Sequence, residues 1–125
     1  MRLLNLAIVA IGVSAFASAA RAGDVAGVWL SDTGASKVRF APCGGALCGH
    51  IAWLKDPDNS PAKMGERIFF DMKPDGDNAW SGSAFNPENG KTYSGKITLS
   101  GNTLTTKGCV LGGIICRSVV WTRAN

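Results

Sequence analysis

The chain has 125 residues, of which 46% are hydrophobic, and its 13 Lys and Arg residues outnumber its 9 Asp and Glu residues to give a formal net charge of +4. The cations are scattered singly, without the basic run or helical stripe that nucleic-acid binding requires, so we expect no nucleic-acid partner. This length supports one domain with one hydrophobic core.

The N-terminus has the layout of a secretory signal peptide, with a positive Met1-Arg2, an apolar run from Leu3 to Phe16 and then small residues. We expect cleavage after Ala20-Arg21-Ala22, with Ala17-Ser18-Ala19 as the rival site. The sequence thus predicts a signal peptide over residues 1–22 and a single domain over residues 23–125. The apolar run is shorter than the roughly 20 residues of a membrane-spanning helix. We expect no membrane span and a periplasmic or secreted protein.

The remaining sequence alternates strand-like segments with turn residues and contains no convincing helical period. Predicted strands are Val25 to Ser31, Ser36 to Cys43, Leu47 to Leu54, Arg67 to Met72, Ala79 to Phe85, Lys91 to Leu99, Thr103 to Val110 and Ile114 to Arg123. The long connection from Lys55 to Glu66 carries two prolines and is predicted to be a loop or a lid, not a domain boundary.

Strands joined by hairpin-length turns form a meander, which removes its open edges by closing into an up-and-down barrel. We therefore predict an all-β fold, a small antiparallel β-barrel of about eight strands. Gly27-x-Trp29 at its start and Arg123 at its end are similar to the G-x-W motif and terminal arginine of the calycin superfamily, which contains the lipocalins. That resemblance implies a lipocalin-like barrel in which Trp29 plugs one end and Arg123 packs across it.

Four cysteines in an exported protein favour two disulfides, although four cysteines allow three connectivities. Hairpin geometry favours local pairing, Cys43 with Cys48 and Cys109 with Cys116. In the first hairpin a turn at Gly45-Ala46 would place its cysteines opposite each other. In the second, a loop from Leu111 to Ile114 would do the same. The rival hypothesis is a metal site, but the spacings are looser than those of zinc knuckles, so we expect no metal and no cofactor.

Catalytic patterns are weak. His50 is the only histidine, and its position in an alternating strand, on the face opposite Ile51 and Trp53, predicts a surface or rim side chain. Asp75 and Asp77 flank a glycine in a turn, where aspartates commonly bond their own backbone. We expect that the protein is not an enzyme.

Longer motifs resemble one bacterial family. They are the segment from Ala41 to Pro57, Lys73 to Asp77, Gly90 to Lys96, Gly108 to Gly112, Cys116 to Ser118 and Trp121 to Arg123. The chain is similar throughout these motifs to the small exported bacterial proteins called domain of unknown function two-one-four-seven. The segment from Asn59 to Asp71 is shorter than in that family. The resemblance implies a bacterial envelope location and a lipocalin-like barrel, and it carries no settled activity.

An eight-stranded barrel either packs its own side chains or holds one small ligand. In the first hypothesis, inward-facing Trp53, Trp80 and Tyr93 line a cavity for a small lipophilic or amphipathic molecule, with the Lys55 to Glu66 loop near its mouth. In the alternative, the aromatic side chains fill the barrel, and the outer face serves as a structural or protein-interaction module with an envelope protein partner. A small enzyme with an unidentified active site is the third hypothesis. The sequence leaves the oligomeric state open.

Overall fold

The structure is a computed structural model that describes residues 25–124. Its eight strands form one closed antiparallel barrel in which each strand pairs with its sequence neighbours and the last strand pairs with the first. This confirms the predicted all-β fold, a closed antiparallel barrel of eight strands, whereas the predicted signal peptide lies outside the described residues. The strands are β1 (Gly27–Ser31), β2 (Ser36–Cys43), β3 (Ala46–Leu54), β4 (Arg67–Pro74), β5 (Ala79–Asn86), β6 (Lys91–Ser100), β7 (Thr103–Val110) and β8 (Ile115–Arg123).

Because consecutive strands run in opposite directions, the connections divide between two ends of the barrel. The start of β1, the end of β8 and the β2–β3, β4–β5 and β6–β7 turns share one end, which we call the closed end. The β1–β2, β3–β4, β5–β6 and β7–β8 connections share the other, which we call the open end. The β3–β4 connection is the predicted loop, and it contains only a short 3-10 turn at Pro57–Asn59.

One hydrophobic cluster occupies the barrel interior. Most of its bulkiest fully buried members lie in the half of their strand nearer the closed end, and they are Trp29, Phe40, Leu47, Met72, Trp80, Ile97 and Leu104. Each buried aromatic side chain removes about 150 to 250 Å² from water, so this half of the barrel supplies much of the stabilising burial.

Trp29 and Arg123 close this end. The guanidinium carbon of Arg123 lies 4.3 Å from the centroid of the Trp29 ring. The Trp29 indole N–H donates to the Val25 carbonyl at 2.8 Å, and Arg123 Nε donates to Asn102 Oδ1 at 3.3 Å. The buried Trp29 indole thus has a hydrogen-bond acceptor for its N–H and the Arg123 guanidinium over its ring, and both contacts stabilise the fold.

A bulge in β3 changes the face on which Trp53 lies. Lys37 pairs with Trp53 while Val38 pairs with Ile51, so Ala52 is an extra residue without its own partner on β2. An extra residue reverses the alternation of faces. Leu54 is therefore buried, whereas Trp53 is 38% exposed. The prediction that Trp53 faces the interior is wrong, because it assumed unbroken alternation through the strand.

Both predicted disulfides are present. The second forms as predicted, between Cys109 and Cys116 directly opposite each other, with Cα atoms 4.1 Å apart. The first turn falls at Gly44-Gly45, not at Gly45-Ala46, because both glycines take positive φ (58° and 82°), as a type I′ hairpin turn requires. Cys43 then pairs with Ala46, and its disulfide reaches diagonally to Cys48, at a Cα separation of 5.9 Å.

Candidate functional site

A cavity of about 630 Å³ lies within the barrel at the open end, on the side formed by β4 to β8. Its lining includes side chains from the interior faces of these strands and from the β5–β6 turn. They include Phe69, Ala84, Asn86, Asn89, Tyr93, Thr106, Gly108, Val110, Ile115, Arg117, Val119 and Trp121. A smaller depression of about 440 Å³ lies at the closed end around Asn78, Ser100 and Arg123.

The inner part of the large cavity is apolar. Phe69, Ala84 and Trp121 are buried there, and Phe69 stacks on Phe40 with ring centroids 5.4 Å apart. The indole N–H of Trp121 donates to the buried hydroxyl of Thr106 at 2.9 Å. Because this hydrogen bond satisfies the indole, Trp121 presents its hydrocarbon surface without an unpaired polar atom.

The mouth of the cavity is polar. The hydroxyl of Tyr93 accepts a hydrogen bond from the side-chain amide of Asn89 at 2.6 Å. Across the opening, the Arg117 guanidinium lies 3.9 Å from the Glu88 carboxylate, and both side chains are exposed. An exposed ion pair of this kind contributes little to stability and can exchange its partner for a ligand group. The site therefore combines an apolar interior with a cation, a carboxylate, a phenol and an amide at its entrance.

A row of glycines crosses the interior faces of β5, β6 and β7, and its last member, Gly108, lines the cavity. Gly82, Gly95 and Gly108 pair with one another across β5, β6 and β7. A Cβ at Gly108 would lie 3.6 Å from Tyr93 Cβ, an ordinary contact, whereas a Cβ at Gly82 would meet the Asp71 backbone at β4. The interior surface thus carries no side chain along this row. These glycines are spaced 13 residues apart in the sequence, a signal that the sequence analysis did not use.

The three side chains predicted to bind ligand lie in different places. Tyr93 lines the cavity. Trp80 is fully buried in the hydrophobic core, and its indole N–H has no hydrogen-bond partner among the described residues. Trp53 lies on the outer face, where Lys37 Nζ is 5.0 Å from its ring centroid. The structure therefore brings Tyr93 together with Phe69 and Trp121, which were not predicted as ligand-binding residues.

The β3–β4 loop covers another part of the open end. Its Ala62 packs against the hydrophobic core, and the Gly65 N–H donates to the Ile51 carbonyl at 2.8 Å. At its start, the Lys55 N–H donates to the Ala35 carbonyl in the β1–β2 turn at 2.9 Å. These contacts tie the loop to β1, β2 and β3, so the opening that remains lies on the side of β4 to β8.

His50 pairs with Arg39 and Arg67 on adjacent strands, and its side chain is exposed. Within residues 25–124, no group of three or more His, Cys, Asp or Glu side chains is placed to hold a metal ion. The same range contains no helix that is long and apolar enough to cross a membrane.

Comparison with solved structures gives a neighbour with a related fold. It is described as "Protein HP1028 from the human pathogen Helicobacter pylori belongs to the lipocalin family". The match has a TM-score of 0.62 and 17% sequence identity, and covers 81% of this chain and 83% of that one. At this identity the likeness is one of fold. No curated protein matches the sequence significantly.

The family model described as "Uncharacterized protein conserved in bacteria (DUF2147)" matches residues 27–123, from the first residue of β1 to the last residue of β8. The match includes both disulfide hairpins, the glycine row and the closed end. The chain therefore belongs to the bacterial family of domain of unknown function two-one-four-seven, and its fold is a lipocalin-like barrel.

Proposed function

We propose that this protein binds one small lipophilic or amphipathic molecule in the cavity at the open end, as a non-enzymatic binding protein of the bacterial envelope. The observation that carries the proposal is the cavity of about 630 Å³ with an apolar interior and a polar mouth. This volume is typical of small-molecule sites, which commonly occupy about 300 to 1,000 Å³. An eight-stranded barrel is just wide enough to hold one such ligand.

The arrangement of side chains favours an amphipathic guest. Its apolar part would contact Phe69 and Trp121 in the interior, where burial of apolar surface provides the driving force. Its polar group would remain at the mouth, within reach of the Tyr93 hydroxyl and the Arg117 guanidinium. A guanidinium binds carboxylates and phosphates well, so an acidic headgroup suits this entrance.

Two observations support a location outside the cytoplasm. Both hairpins carry disulfides, which form and persist in oxidising compartments. The chain also belongs to a bacterial family, for which the corresponding oxidising compartment is the periplasm or the exterior. The predicted signal peptide agrees with this location. The mass of the exported protein after denaturation tests it, because cleavage after Ala22 leaves a chain that starts at Gly23.

A second candidate function is a protein-interaction module, and the outer face of β2 to β4 favours it. Lys37 lies over Trp53 there, and the Arg67 guanidinium carbon is 4.1 Å from the Phe70 ring centroid. Aromatic and arginine side chains are enriched at protein interfaces. This alternative uses the opposite side of the barrel wall from the cavity, so variants can separate the two functions.

The experiment that tests the cavity is a titration with cis-parinarate, a fluorescent fatty acid. Gly108→Leu should place a branched side chain in the cavity, because a Cβ there makes only ordinary contacts and the residue does not need positive φ. Thr105→Leu is the matched control, since Thr105 lies on the same strand but on the outer face. We expect Gly108→Leu to weaken binding at least about tenfold, and the control to bind as the wild type does.

Equal affinities of Gly108→Leu and the wild type would contradict the cavity proposal. Trp53→Ala and His50→Ala extend the test to the outer face, and we expect both to leave cis-parinarate binding unchanged. Loss of binding in Trp53→Ala alone would move the lipophilic site to the exterior and favour the interaction surface. If the cavity proposal is correct, native mass spectrometry of the protein from a bacterial periplasm should reveal a retained guest that denaturation removes.

A further inference from the structure

The β7–β8 tip, residues 110–115, exposes large aliphatic side chains. Leu111 is 68% exposed, Ile114 is 82% exposed and Ile115 is 56% exposed. The tip has no charged residue, and Gly112-Gly113 separate its aliphatic side chains. Leaving several adjacent aliphatic side chains in water is unfavourable, so such a cluster marks an interaction surface.

The backbone conformation at Leu111 indicates that the tip requires a leucine side chain at this position. Leu111 has φ of 54°, in the left-handed region that glycine and asparagine adopt more readily. The side chain makes no compensating burial, because the 3-10 turn at Leu111–Gly113 contains no buried residue. The Cys109–Cys116 disulfide holds the two strands together at the base of this tip. A strained, exposed leucine on a cross-linked hairpin is explained by a contact outside the fold.

Charge identifies the partner. Residues 89–124, which contain β6, β7 and β8, have no Asp or Glu and carry Lys91, Lys96, Lys107, Arg117 and Arg123. Residues 25–88 instead carry eight acidic and six basic side chains. The strands next to the exposed aliphatic tip therefore carry only basic side chains, although Glu88 pairs with Arg117 and Asp32 Oδ2 accepts the Val120 N–H at the borders of this side. Lys91 and Lys107 lie in the halves of their strands nearer the open end. Aliphatic side chains next to cations suit a surface that is apolar inside and negatively charged outside.

We propose that the β7–β8 tip inserts into the surface of an anionic phospholipid bilayer. Leu111 and Ile114 enter the boundary between headgroups and acyl chains, while Lys91 and Lys107 face the anionic headgroups. Val110 and Ile115 belong both to the tip and to the cavity lining, so insertion places the cavity mouth against the membrane. This inference goes beyond the proposed function, because the tip can bind lipid whether or not the cavity takes a guest.

The test is co-sedimentation with vesicles of phosphatidylglycerol mixed with phosphatidylcholine, compared with vesicles of phosphatidylcholine alone. We expect binding to the anionic vesicles, weak binding to the neutral ones, and loss of binding as salt is raised, because salt screens the attraction. The key variant is Leu111→Asn with Ile114→Ser. Asparagine tolerates the left-handed backbone, so we expect an unchanged or higher melting temperature but at least about tenfold weaker vesicle binding.

Two controls match these changes. Met64→Ser removes an apolar side chain that is 57% exposed on the β3–β4 loop at the same end, and vesicle binding should stay unchanged. Lys55→Gln on that loop should also have little effect, whereas Lys91→Gln should weaken binding a few fold. These differences would assign the membrane contact to the basic side of the barrel.

The proposal is overturned if the tip variant binds anionic vesicles as tightly as the wild type, or if neutral and anionic vesicles bind equally. A second result would also overturn it: the wild type dimerises in the absence of vesicles, whereas the tip variant is monomeric and binds vesicles as tightly as the wild type. The tip would then be an interface between two copies of the chain. Cis-parinarate titration of the tip variant separates this proposal from the cavity. Retained cis-parinarate binding with lost vesicle binding supports the membrane contact alone.

Discussion

Both ends of this barrel join antiparallel strands that are neighbours in sequence, yet the two ends have opposite chemistry. At the closed end, large side chains are buried, and Trp29 donates to a carbonyl and carries Arg123 over its ring. At the open end, the interior contains a cavity, and aliphatic side chains of the β7–β8 tip face solvent. The comparison separates a part of the molecule that stabilises the fold from a part that is available for binding.

Side-chain volume explains the difference better than strand number does. The same eight strands form both ends of the closed barrel, so strand number is equal at the two ends. Trp29, Trp80 and Met72 fill the space toward the closed end. Toward the open end, Gly108 and Ala84 contribute little volume to the interior, and space remains. A small barrel can therefore be packed at one end and hollow at the other without a change of topology.

The largest expected effect of a substitution is at the closed end. Trp29→Ala removes a fully buried indole together with the ring that supports Arg123. We expect a loss of about 3 to 5 kcal/mol in the free energy of unfolding, the usual cost of truncating a buried aromatic side chain. Urea unfolding monitored by circular dichroism measures it. Trp53→Ala is the control, and we expect a cost below about 1.5 kcal/mol because that ring is partly exposed. Similar costs for both variants would remove the distinction between the two ends.

The disulfides give the next effect in size. Their sequence separations are 5 and 7 residues, and the chain-entropy model assigns about 2 kcal/mol to loops this short. We expect Cys43→Ala with Cys48→Ala, and Cys109→Ala with Cys116→Ala, to lower the free energy of unfolding by about that amount each. Thermal or urea unfolding of the two double variants checks this.

The same pair of variants sharpens the contrast between the ends. Loss of the Cys43–Cys48 disulfide should change stability without changing vesicle binding, because that hairpin lies at the closed end. Loss of the Cys109–Cys116 disulfide should also weaken vesicle binding, since the tip is no longer held in one conformation. Equal vesicle binding by both double variants would mean that the Cys109–Cys116 disulfide does not hold the tip in the conformation that binds the membrane.

The fold could be predicted from the sequence because its signals are local and repeat along the chain. Turn residues such as Ser100-Gly101-Asn102 separate the strands, and cysteine spacing marks two hairpins. The family resemblance implied the lipocalin-like barrel that the structure then confirmed. Register was predicted less well. The choice between Gly44-Gly45 and Gly45-Ala46 depends on which residues take positive φ, and Gly-Gly was the stronger signal for that turn.

The lining of the cavity was predicted only in part, for a physical reason. Tyr93 lines the cavity. The orientation of Trp53, however, depends on a bulge at Ala52. A bulge is a feature of the pairing between two strands, so the alternation of residues within one strand does not reveal it. Large aromatic side chains were also taken to mark a cavity, whereas Trp80 fills the core. Part of the cavity is space that a side chain at Gly108 would fill, and a single glycine within a strand does not report which space it leaves open.

The smallest predicted effect compares two cation–aromatic pairs at opposite ends. Arg123 lies 4.3 Å from the centroid of the buried Trp29 ring, and Lys37 lies 5.0 Å from that of the partly exposed Trp53 ring. Water weakens such an attraction, so exposed pairs contribute about 0.5 to 1 kcal/mol and desolvated pairs about 2 kcal/mol. Double-mutant cycles with Arg123→Met and Trp29→Leu, and with Lys37→Met and Trp53→Leu, measure the coupling energies from urea unfolding.

We expect the closed-end coupling to exceed the open-end coupling by up to about 1 kcal/mol, because the Trp29 ring is fully buried and lies closer to its cation. Added salt should reduce both values, since Arg123 is exposed and Lys37 is only half-buried. A larger coupling between Lys37 and Trp53 would mean that the outer face of β2 and β3 is a stabilising part of the structure. A small coupling leaves Trp53 as an exposed aromatic side chain that the fold does not need, and this would strengthen the case for an interaction surface there.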